Sequence, residues 1–304
     1  MTGFFSLGWR SRAPSGAVAE GRATPARTRA VRDPQTARVQ RTEVARCAGP
    51  SVGTVQLVGR IGAPRVSVVI PALNEAQNLR HVLPRLPGTL YEVILVDGGS
   101  SDDTVEVTRS LCPGATIVTQ RGRGKGNALS EGFAAARGDI IVMLDADGSA
   151  DPGEIPKFVT ALQSGTDFAK GTRFSDGGGS ADITWHRRLG HTGLLALANW
   201  LYGTRYTDLC YGLNAFWIHC LPHMAIDCDG FEVETLIHLR LAKSHLSVQE
   251  VGSFEARRIF GSSNLRTVRD GFRVLGVILS ERRSKDNRIA RRMPEALPRE
   301  LRGV

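Results

Sequence analysis

Buried-type strands alternate with helices from residue 66 to residue 144 of this 304-residue chain, and this alternation restricts the fold more than any other feature. β-Branched and aliphatic runs predict four strands, at 66–70, 91–96, 115–119 and 139–144. Apolar residues at helical spacing predict helices between them, at 75–86, 102–111 and 126–136. Strands that alternate with helices form a parallel sheet, so we predict an α/β fold with a mostly parallel central sheet and helices on both faces.

Polar residues follow three of these strands directly. Asn74 and Glu75 follow the first strand, Asp97 follows the second, and Asp145 and Asp147 follow the fourth. The carboxyl ends of parallel strands meet at one edge of a sheet, and ligands bind beyond that edge. We therefore expect these side chains to share one site, and we also predict that Asn74 is the N-cap of the first helix.

The sequence Asp145-Ala146-Asp147 places two carboxylates one residue apart at a strand end. Carboxylates are ligands of hard divalent cations, and such a cation neutralises a diphosphate leaving group. The alternative is a turn in which an aspartate caps the next helix, which is the commoner role of an isolated pair. The acidic residues at the preceding strand ends favour the cation, so a hard divalent cation is the expected cofactor.

Eight motifs resemble, in order and spacing, the family 2 glycosyltransferases of GT-A (Rossmann-like) fold. Those of the first half are Pro71-Ala-Leu-Asn-Glu75, Val96-Asp-Gly-Gly-Ser-Ser-Asp-Asp-Thr104, Gly124-Lys-Gly-Asn-Ala128 and Asp145-Ala-Asp147. The remainder are similar to the dolichol-phosphate mannose synthase, or polyprenyl-phosphate, branch: Lys170-Gly-Thr-Arg-Phe174, Asp208-Leu-Cys-Tyr-Gly212, Asn214-Ala-Phe216 and Arg258-Ile-Phe-Gly-Ser-Ser263. The resemblance covers roughly residues 65–280.

The resemblance implies a site for a nucleotide-diphospho-sugar. The residues expected around its nucleoside are Pro71, Ala72, Asn74, Glu75 and Asp97. Lys125 would lie near the base and ribose, and Asp145 and Asp147, with the intervening Ala146, would hold the diphosphate through Mg²⁺ or Mn²⁺. Asp147 is also an expected catalytic residue.

Arginines would bind the phosphate groups of donor or acceptor, because their planar guanidinium pairs with phosphate oxygens in two hydrogen bonds. The matching positions are Arg173, one of Arg187 and Arg188, and Arg258 together with Ser263. The resemblance thus implies a cationic acceptor site.

The chain departs from the family pattern at three points. Gly98 replaces the second aspartate of the common VDDGS string, as in some relatives. Ser149 stands where this branch often has glutamine, which leaves the third metal ligand open. The C-terminal transmembrane helices of many relatives are expected to be absent.

The acceptor decides whether a general base is needed. Polyprenyl phosphate is already an anionic nucleophile, whereas a hydroxyl acceptor must lose a proton. The candidates for that base are Glu232 and Glu234, with Asp227 and Asp229 nearby. We predict inverting transfer of a sugar from a GDP- or UDP-linked donor to polyprenyl phosphate, with a soluble or polysaccharide hydroxyl acceptor as the alternative.

Two segments have the pattern of interfacial helices. Residues 187–206 and 268–283 combine apolar residues at helical spacing with arginines at their ends. That combination suits peripheral contact with an anionic membrane surface. Helices packed on the sheet would have the same pattern, so both interpretations stay open.

Several features indicate a cytoplasmic protein, peripheral on the membrane at most. No uncharged apolar run reaches the roughly 18 residues that span a bilayer, and no signal peptide is recognisable. The five cysteines include no CxxC pair, so neither a disulfide framework nor a zinc site is expected.

The formal charge of +9 arises at the two ends of the chain. Residues 1–64 hold ten arginines against three acidic residues, and residues 281–304 hold eight basic against four acidic residues, so the centre is slightly acidic. Because the tails lack aromatic residues interleaved with arginine, nucleic acid is not an expected partner, and a tail-driven binding protein is the least favoured alternative. The predicted domains are a disordered extension at 1–62, a GT-A domain at 65–265, an amphipathic helix at 266–283 and a basic tail at 284–304.

Overall fold

The computed structural model describes residues 62–262 and 266–284, and most of these form a sheet covered by helices. Ser263 and most of the predicted N-terminal extension and C-terminal tail lie outside the described residues. The strands are β1 (Val66–Ala72), β2 (Glu92–Asp97), β3 (Thr116–Thr119), β4 (Ile140–Met143), β5 (Phe168–Thr172), β6 (Gly179–Ser180), β7 (Asn214–Trp217), β8 (Val248–Gly252) and β9 (Phe254–Glu255).

Eight α-helices lie within the described residues. They are α1 (Ala76–Val82), α2 (Thr104–Leu111), α3 (Gly124–Ala135), α4 (Ile155–Gln163), α5 (Trp185–Tyr202), α6 (Leu221–Met224), α7 (Val233–Ala242) and α8 (Thr267–Arg283). Short 3₁₀ turns occupy Leu83–Arg85, Pro152–Glu154 and Ile218–Cys220. The predicted elements between residues 66 and 144 are all present, with ends shifted by a few residues.

The main sheet has seven strands in the order β3-β2-β1-β4-β7-β5-β8. β1 pairs in parallel with β2 and β4, β2 with β3, and β5 with β8. β7 runs antiparallel to both β4 and β5. The predicted mostly parallel sheet is therefore confirmed, and the polar ends of β1, β2 and β4 meet at one edge.

Apolar side chains cover both faces of the sheet. Successive residues of a strand point to opposite faces: Val68 packs in a cluster with Leu79 of α1 and Phe158 of α4. Val69 packs in a second cluster with Leu129 of α3. This burial on both faces explains why the strands are continuous apolar runs, and it fixes the strand ends that carry the polar residues.

α5 and α8 pack against each other beside α7. Ala198 of α5 and Val274 and Ile278 of α8 belong to a third apolar cluster, and the Tyr202 hydroxyl donates to the Ile278 carbonyl oxygen at 2.8 Å. One face of each helix is thus packed against protein. None of the helices in the described residues could span a bilayer.

The sequence-based expectation that Asn74 caps the first helix is wrong. Glu75 occupies the N-cap position of α1 and makes no capping hydrogen bond with its side chain; the Ala76 N–H, the first of the helix, donates instead to Asp102 Oδ2 at 3.0 Å. Asn74 instead adopts the left-handed region, with φ of 58°, and its Oδ1 accepts a hydrogen bond from the Ser101 backbone at 2.7 Å. Asn74 therefore ties the end of β1 to the loop after β2, a long-range contact that local sequence does not reveal.

The cysteines of the described residues differ in oxidation state. Cys112 is disulfide-bonded, whereas Cys210, Cys220 and Cys228 are free.

Gly132 lets α3 pack directly on the sheet. A Cβ at Gly132 would lie 2.4 Å from Val69 Cγ1 and 2.9 Å from Val96 Cγ2, so Gly132→Ala should lower the free energy of unfolding by about 1–3 kcal/mol through overpacking. A Cβ at Gly276 of α8 would meet no atom within 4 Å, so Gly276→Ala should raise it by up to about 1 kcal/mol. Urea unfolding measures the free energy of unfolding of both variants. Equal changes in the two would contradict the close packing of α3 on the sheet at Gly132.

Candidate active site

A cavity of about 480 Å³ lies at the carboxyl end of β4. The strand-end carboxylates Asp145 and Asp147 line one side of it, together with Lys125. α5 and α8 line another side, with the apolar residues Leu194 and Val274 among them. The cavity therefore connects the predicted metal-binding carboxylates with the two predicted interfacial helices.

Asp145 is held by a buried ion-pair network. The Lys125 ammonium lies 2.6 Å from Asp145 Oδ1 and 2.5 Å from Glu234 Oε1. Lys125 stands in the first turn of α3 and Glu234 in the first turn of α7, and Glu234 is 3% exposed. The structure thus places Lys125 against the carboxylates; its predicted position near base and ribose stays a prediction.

Burial and ion pairing act in opposite directions on this network. Burial alone lowers the pKa of Lys125, but the charges of Asp145 and Glu234 outweigh it and raise that pKa above its ordinary value. For Glu234, burial and the neighbouring Asp145 charge outweigh the attraction of Lys125, so the pKa of Glu234 is raised. Lys125 consequently stays charged at neutral pH.

Two glycines allow this network to form. A Cβ at Gly212 would lie 2.0 Å from Asp145 Oδ2, so the carboxylate rests directly on the backbone of the segment before β7. A Cβ at Gly126 would lie 2.1 Å from the Cys228 carbonyl oxygen, and the Gly126 N–H donates to the Asp229 carbonyl oxygen at 2.9 Å. Sequence reasoning included both glycines in motifs but missed these contacts, which no local pattern signals.

Asp147 faces the segment after β9. Arg258 Nη1 lies 3.6 Å from Asp147 Oδ2, and Arg258 Nη2 also pairs with Glu75. The same segment is attached to α1, because the Phe260 N–H donates to Asn78 Oδ1 at 2.8 Å. Burial raises the pKa of Glu75, although hydrogen bonds from Asn78 and Arg258 oppose it.

Arg173 is bound by carboxylates of the protein itself. Its guanidinium makes two hydrogen bonds to Asp208, at 2.7 and 2.9 Å, and lies 3.1 Å from Glu255 Oε1. Burial would raise the pKa of Asp208, but hydrogen bonds from His191 and Arg173 outweigh it and hold that pKa far below its ordinary range. Arg173 lines the cavity, yet two carboxylates offset its charge, so its role toward a phosphate stays a prediction.

The arginines of α5 and of the segment after β9 differ in position. Arg187 lines the cavity and pairs with Asp182 at 3.0 Å. Arg188 is exposed, and its guanidinium carbon lies 5.5 Å from the centre of the Phe174 ring. Arg257, which sequence reasoning missed, lines the cavity and donates to the Ala181 carbonyl oxygen at 3.2 Å. Its position directly before Arg258 was the only available signal.

The four candidates for a general base lie in different surroundings. Glu234 is the one that lines the cavity, where Lys125 binds it. Glu232 Oε1 accepts from the Gly230 N–H at 3.2 Å, and Glu232 Oε2 has no partner among the described residues. The remaining two are Asp227, which pairs with Arg240 at 2.8 Å, and the exposed Asp229.

The residues predicted around a nucleoside gather at the ends of β1 and β2. The Gly98 N–H donates to the Ala72 carbonyl oxygen at 2.8 Å, and Asp97 Oδ1 accepts from the Ser100 N–H at 3.1 Å. These residues, with Pro71 and Asn74, are not among those that line the cavity. Their role in binding a nucleoside stays a prediction.

Asp145 and Asp147 fit a divalent cation as two hard oxygen donors. Among the described residues, no group of three His, Cys, Asp or Glu side chains is arranged to hold a metal ion. Ser149 lines the cavity, and its N–H donates to Asp147 Oδ1 at 3.0 Å. A cation here would take two ligands from these aspartates and need others from a ligand such as a diphosphate.

Comparison with known proteins identifies the family of the chain. The model of glycosyl transferase family 2 matches residues 67–225. Glycosyltransferase AglJ of Haloferax volcanii is 31% identical over 73% of this chain and 73% of its own length. Dolichol-phosphate mannosyltransferase of Pyrococcus furiosus is 36% identical over a segment that covers 41% of this chain and 38% of that relative. The predicted family resemblance is confirmed.

A solved structure resembles the chain in fold. Glucosyl-3-phosphoglycerate synthase from Mycobacterium tuberculosis, in complex with Mn²⁺, UDP-glucose and phosphoglyceric acid, has a TM-score of 0.59 and 25% identity. The match covers 74% of this chain and 82% of that one. The predicted GT-A fold is therefore confirmed.

Asp208→Asn should lower the free energy of unfolding at pH 7 by about 3 kcal/mol, because it removes a carboxylate that binds the buried Arg173. The depressed pKa of Asp208 contributes stability above the unfolded-state pKa of about 3.9, and this contribution is lost as the pH falls toward the folded-state pKa. Denaturant unfolding at pH 7, 4 and 3 should thus show that the difference in free energy of unfolding between wild type and Asp208→Asn narrows below pH 4. Asp139→Asn, which breaks an exposed pair with Arg65, should cost less than about 1 kcal/mol; similar costs at both sites would contradict this prediction.

Proposed function

This chain belongs to glycosyl transferase family 2, and we propose that it catalyses inverting, metal-dependent transfer of a sugar from a GDP- or UDP-linked donor to polyprenyl phosphate. The observation that supports this best is the cavity shared by Asp145, Asp147, α5 and α8. One side offers carboxylates for a cation on a diphosphate, and the other offers cationic and apolar groups for a lipid phosphate.

On the donor side, Asp145 and Asp147 would hold Mg²⁺ or Mn²⁺, and the cation would neutralise charge on the departing diphosphate. Lys125 holds the Asp145 carboxylate in place. Arg258 lies beside Asp147 and would add positive charge near the leaving group. Most of the rate enhancement would then come from positioning and electrostatics.

On the acceptor side, the cavity lining is cationic at one part and apolar at another. Arg187 and Arg257 suit a phosphate, and Leu194 and Val274 suit the first isoprene units of a lipid. A phosphate oxygen would attack the anomeric carbon while the bond from that carbon to the donor diphosphate breaks, which inverts the configuration. No proton has to be removed, so the engagement of Glu234 by Lys125 is compatible with this acceptor.

The outer faces of α5 and α8 support a membrane-bound acceptor. We call them the α5–α8 apolar surface, formed by the exposed side chains of Trp185, Leu189, Trp200, Val268, Phe272 and Leu279. Trp200 is 79% exposed and Phe272 is 69% exposed. The arginines Arg269, Arg273, Arg282 and Arg283 stand on α8 itself. An apolar face bordered by arginine fits the surface of an anionic membrane, at which the protein would bind peripherally.

Metal-dependent nucleotide binding tests the donor side. Thermal unfolding with Mn²⁺ and either UDP or GDP should show stabilisation, which reaches about 2.7 kcal/mol at 100 times the dissociation constant. Asp147→Ala should abolish this stabilisation, because it removes one of two carboxylate ligands. Glu92→Gln, at the opposite end of β2, is the matched control and should keep it. A folded wild type that responds to neither nucleotide would refute the donor assignment.

Transfer of radiolabelled sugar tests the acceptor. Label should enter the organic phase when polyprenyl phosphate is supplied, and it should stay in the aqueous phase with hydroxyl acceptors. The opposite distribution would favour the soluble-acceptor alternative.

The double variant Trp200→Ser/Phe272→Ser tests the membrane contact. We expect its binding to anionic vesicles to fall more than tenfold, because burial of one aromatic side chain contributes about 1.5–3 kcal/mol. Transfer to polyprenyl phosphate in detergent should change little, since neither side chain lines the cavity. Equal sedimentation of variant and wild type with vesicles would contradict the proposed surface.

A further inference from the structure

A basic side chain connects each aspartate of the proposed metal site to a second carboxylate, which belongs to a buried glutamate. Lys125 connects Asp145 with Glu234, and its ammonium lies 2.6 and 2.5 Å from the two carboxylates. Arg258 connects Asp147 with Glu75, at 3.6 Å from Asp147 Oδ2 and in direct contact with the glutamate. These two bridges have the same chemical order although they come from different parts of the fold.

We propose that Glu234 and Glu75 are positioning residues that set the charge of the metal site: each neutralises the bridging cation, so that Asp145 and Asp147 keep their own charge for a divalent cation. This inference rests on the proposed metal-dependent function. It gives both glutamates roles other than those expected from sequence, where Glu234 was a candidate base and Glu75 a nucleoside contact.

The balance of charges supports the proposal. The two bridges contain four carboxylates and two cations, which leaves two negative charges, the number that a divalent cation neutralises. Without the glutamates, Lys125 and Arg258 would cancel the charge of the two aspartates. A cation would then meet a site without net charge. With the glutamates in place it meets two net negative charges, and these attract it more strongly in partly buried surroundings than they would in water.

The burial of the two glutamates and the orientation of Asp145 also support the proposal. Glu234 is 3% exposed and Glu75 is 7% exposed, so both charges depend on their partners rather than on water. Lys125 contacts one oxygen of Asp145 while the other oxygen rests on Gly212. Since Glu234 fixes the ammonium in turn, the orientation of the Asp145 carboxylate depends on a residue that Asp145 and Lys125 separate from the proposed cation.

Direct measurement of Mn²⁺ binding tests the proposal without relying on activity. Calorimetric titration of Mn²⁺ in the presence of UDP or GDP, whichever stabilises the wild type, gives the affinity. We expect Glu234→Gln and Glu75→Gln each to weaken it about tenfold or more, since each removes one negative charge near the cation. Glu92→Gln is the matched control, because Glu92 also pairs with an arginine, Arg137, at 2.9 Å but lies at the other end of the sheet.

Charge-restoring variants separate this role from a merely structural one. Glu234→Asp keeps the charge and should bind Mn²⁺ more tightly than Glu234→Gln. The double variant Lys125→Met/Glu234→Gln removes one charge of each sign, so it too should bind Mn²⁺ more tightly than Glu234→Gln alone. Melting temperatures in EDTA identify variants that fail to fold. The bridge from Asp147 through Arg258 to Glu75 is more accessible, so Glu75→Gln gives an independent test.

Two results would overturn the proposal while the proposed function stands: wild-type Mn²⁺ affinity in both single glutamine variants, or no gain in the charge-balanced double variant. Absence of Mn²⁺ binding by the folded wild type would overturn both, because the aspartates would then hold no divalent cation.

Discussion

The Asp145 carboxylate is the constraint on which the rest of the site depends. It is confined between the backbone at Gly212, where a side chain would collide with it, and the Lys125 ammonium. Since Glu234 of α7 holds that ammonium, one carboxylate ties together β4, α3, α7 and the segment before β7. Its position is consequently decided by the packing of α7 and the segment before β7, both distant in sequence, against the neighbouring elements α3 and β4.

The same network explains why the chemistry proposed here relies on electrostatics rather than on a general base. Of the four candidates for a general base, Glu234 is the one that lines the cavity, and Lys125 already binds it. A phosphate nucleophile needs no proton removed, whereas an alcohol does. A groove that runs from paired aspartates to two helices with exposed apolar faces suits an acceptor with an anionic head and an apolar chain. Geometry and chemistry thus favour the same acceptor.

The sequence predicted most of the strands and helices of the sheet region but few of the side-chain contacts in the site. Strand ends at Asp97 and Asp145 could be read from apolar runs, because a strand buried on both faces has to be continuous and apolar. The pairing of Arg173 with Asp208 and Glu255 could not, because its partners lie 35 and 82 residues away. An arginine in a motif looks the same in sequence whether it is free for a phosphate or already bound by carboxylates.

The sequence by itself determined the α/β alternation, the family and the paired aspartates at a strand end, since periodicity and short motifs are local properties. Only the tertiary structure decided which charges meet: Glu75 with Arg258, Glu234 with Lys125, and Asp145 with the bare backbone of Gly212. The physical reason is that a buried charge is stabilised by whatever the fold brings within a few ångströms of it. Local sequence contains no record of those long-range contacts.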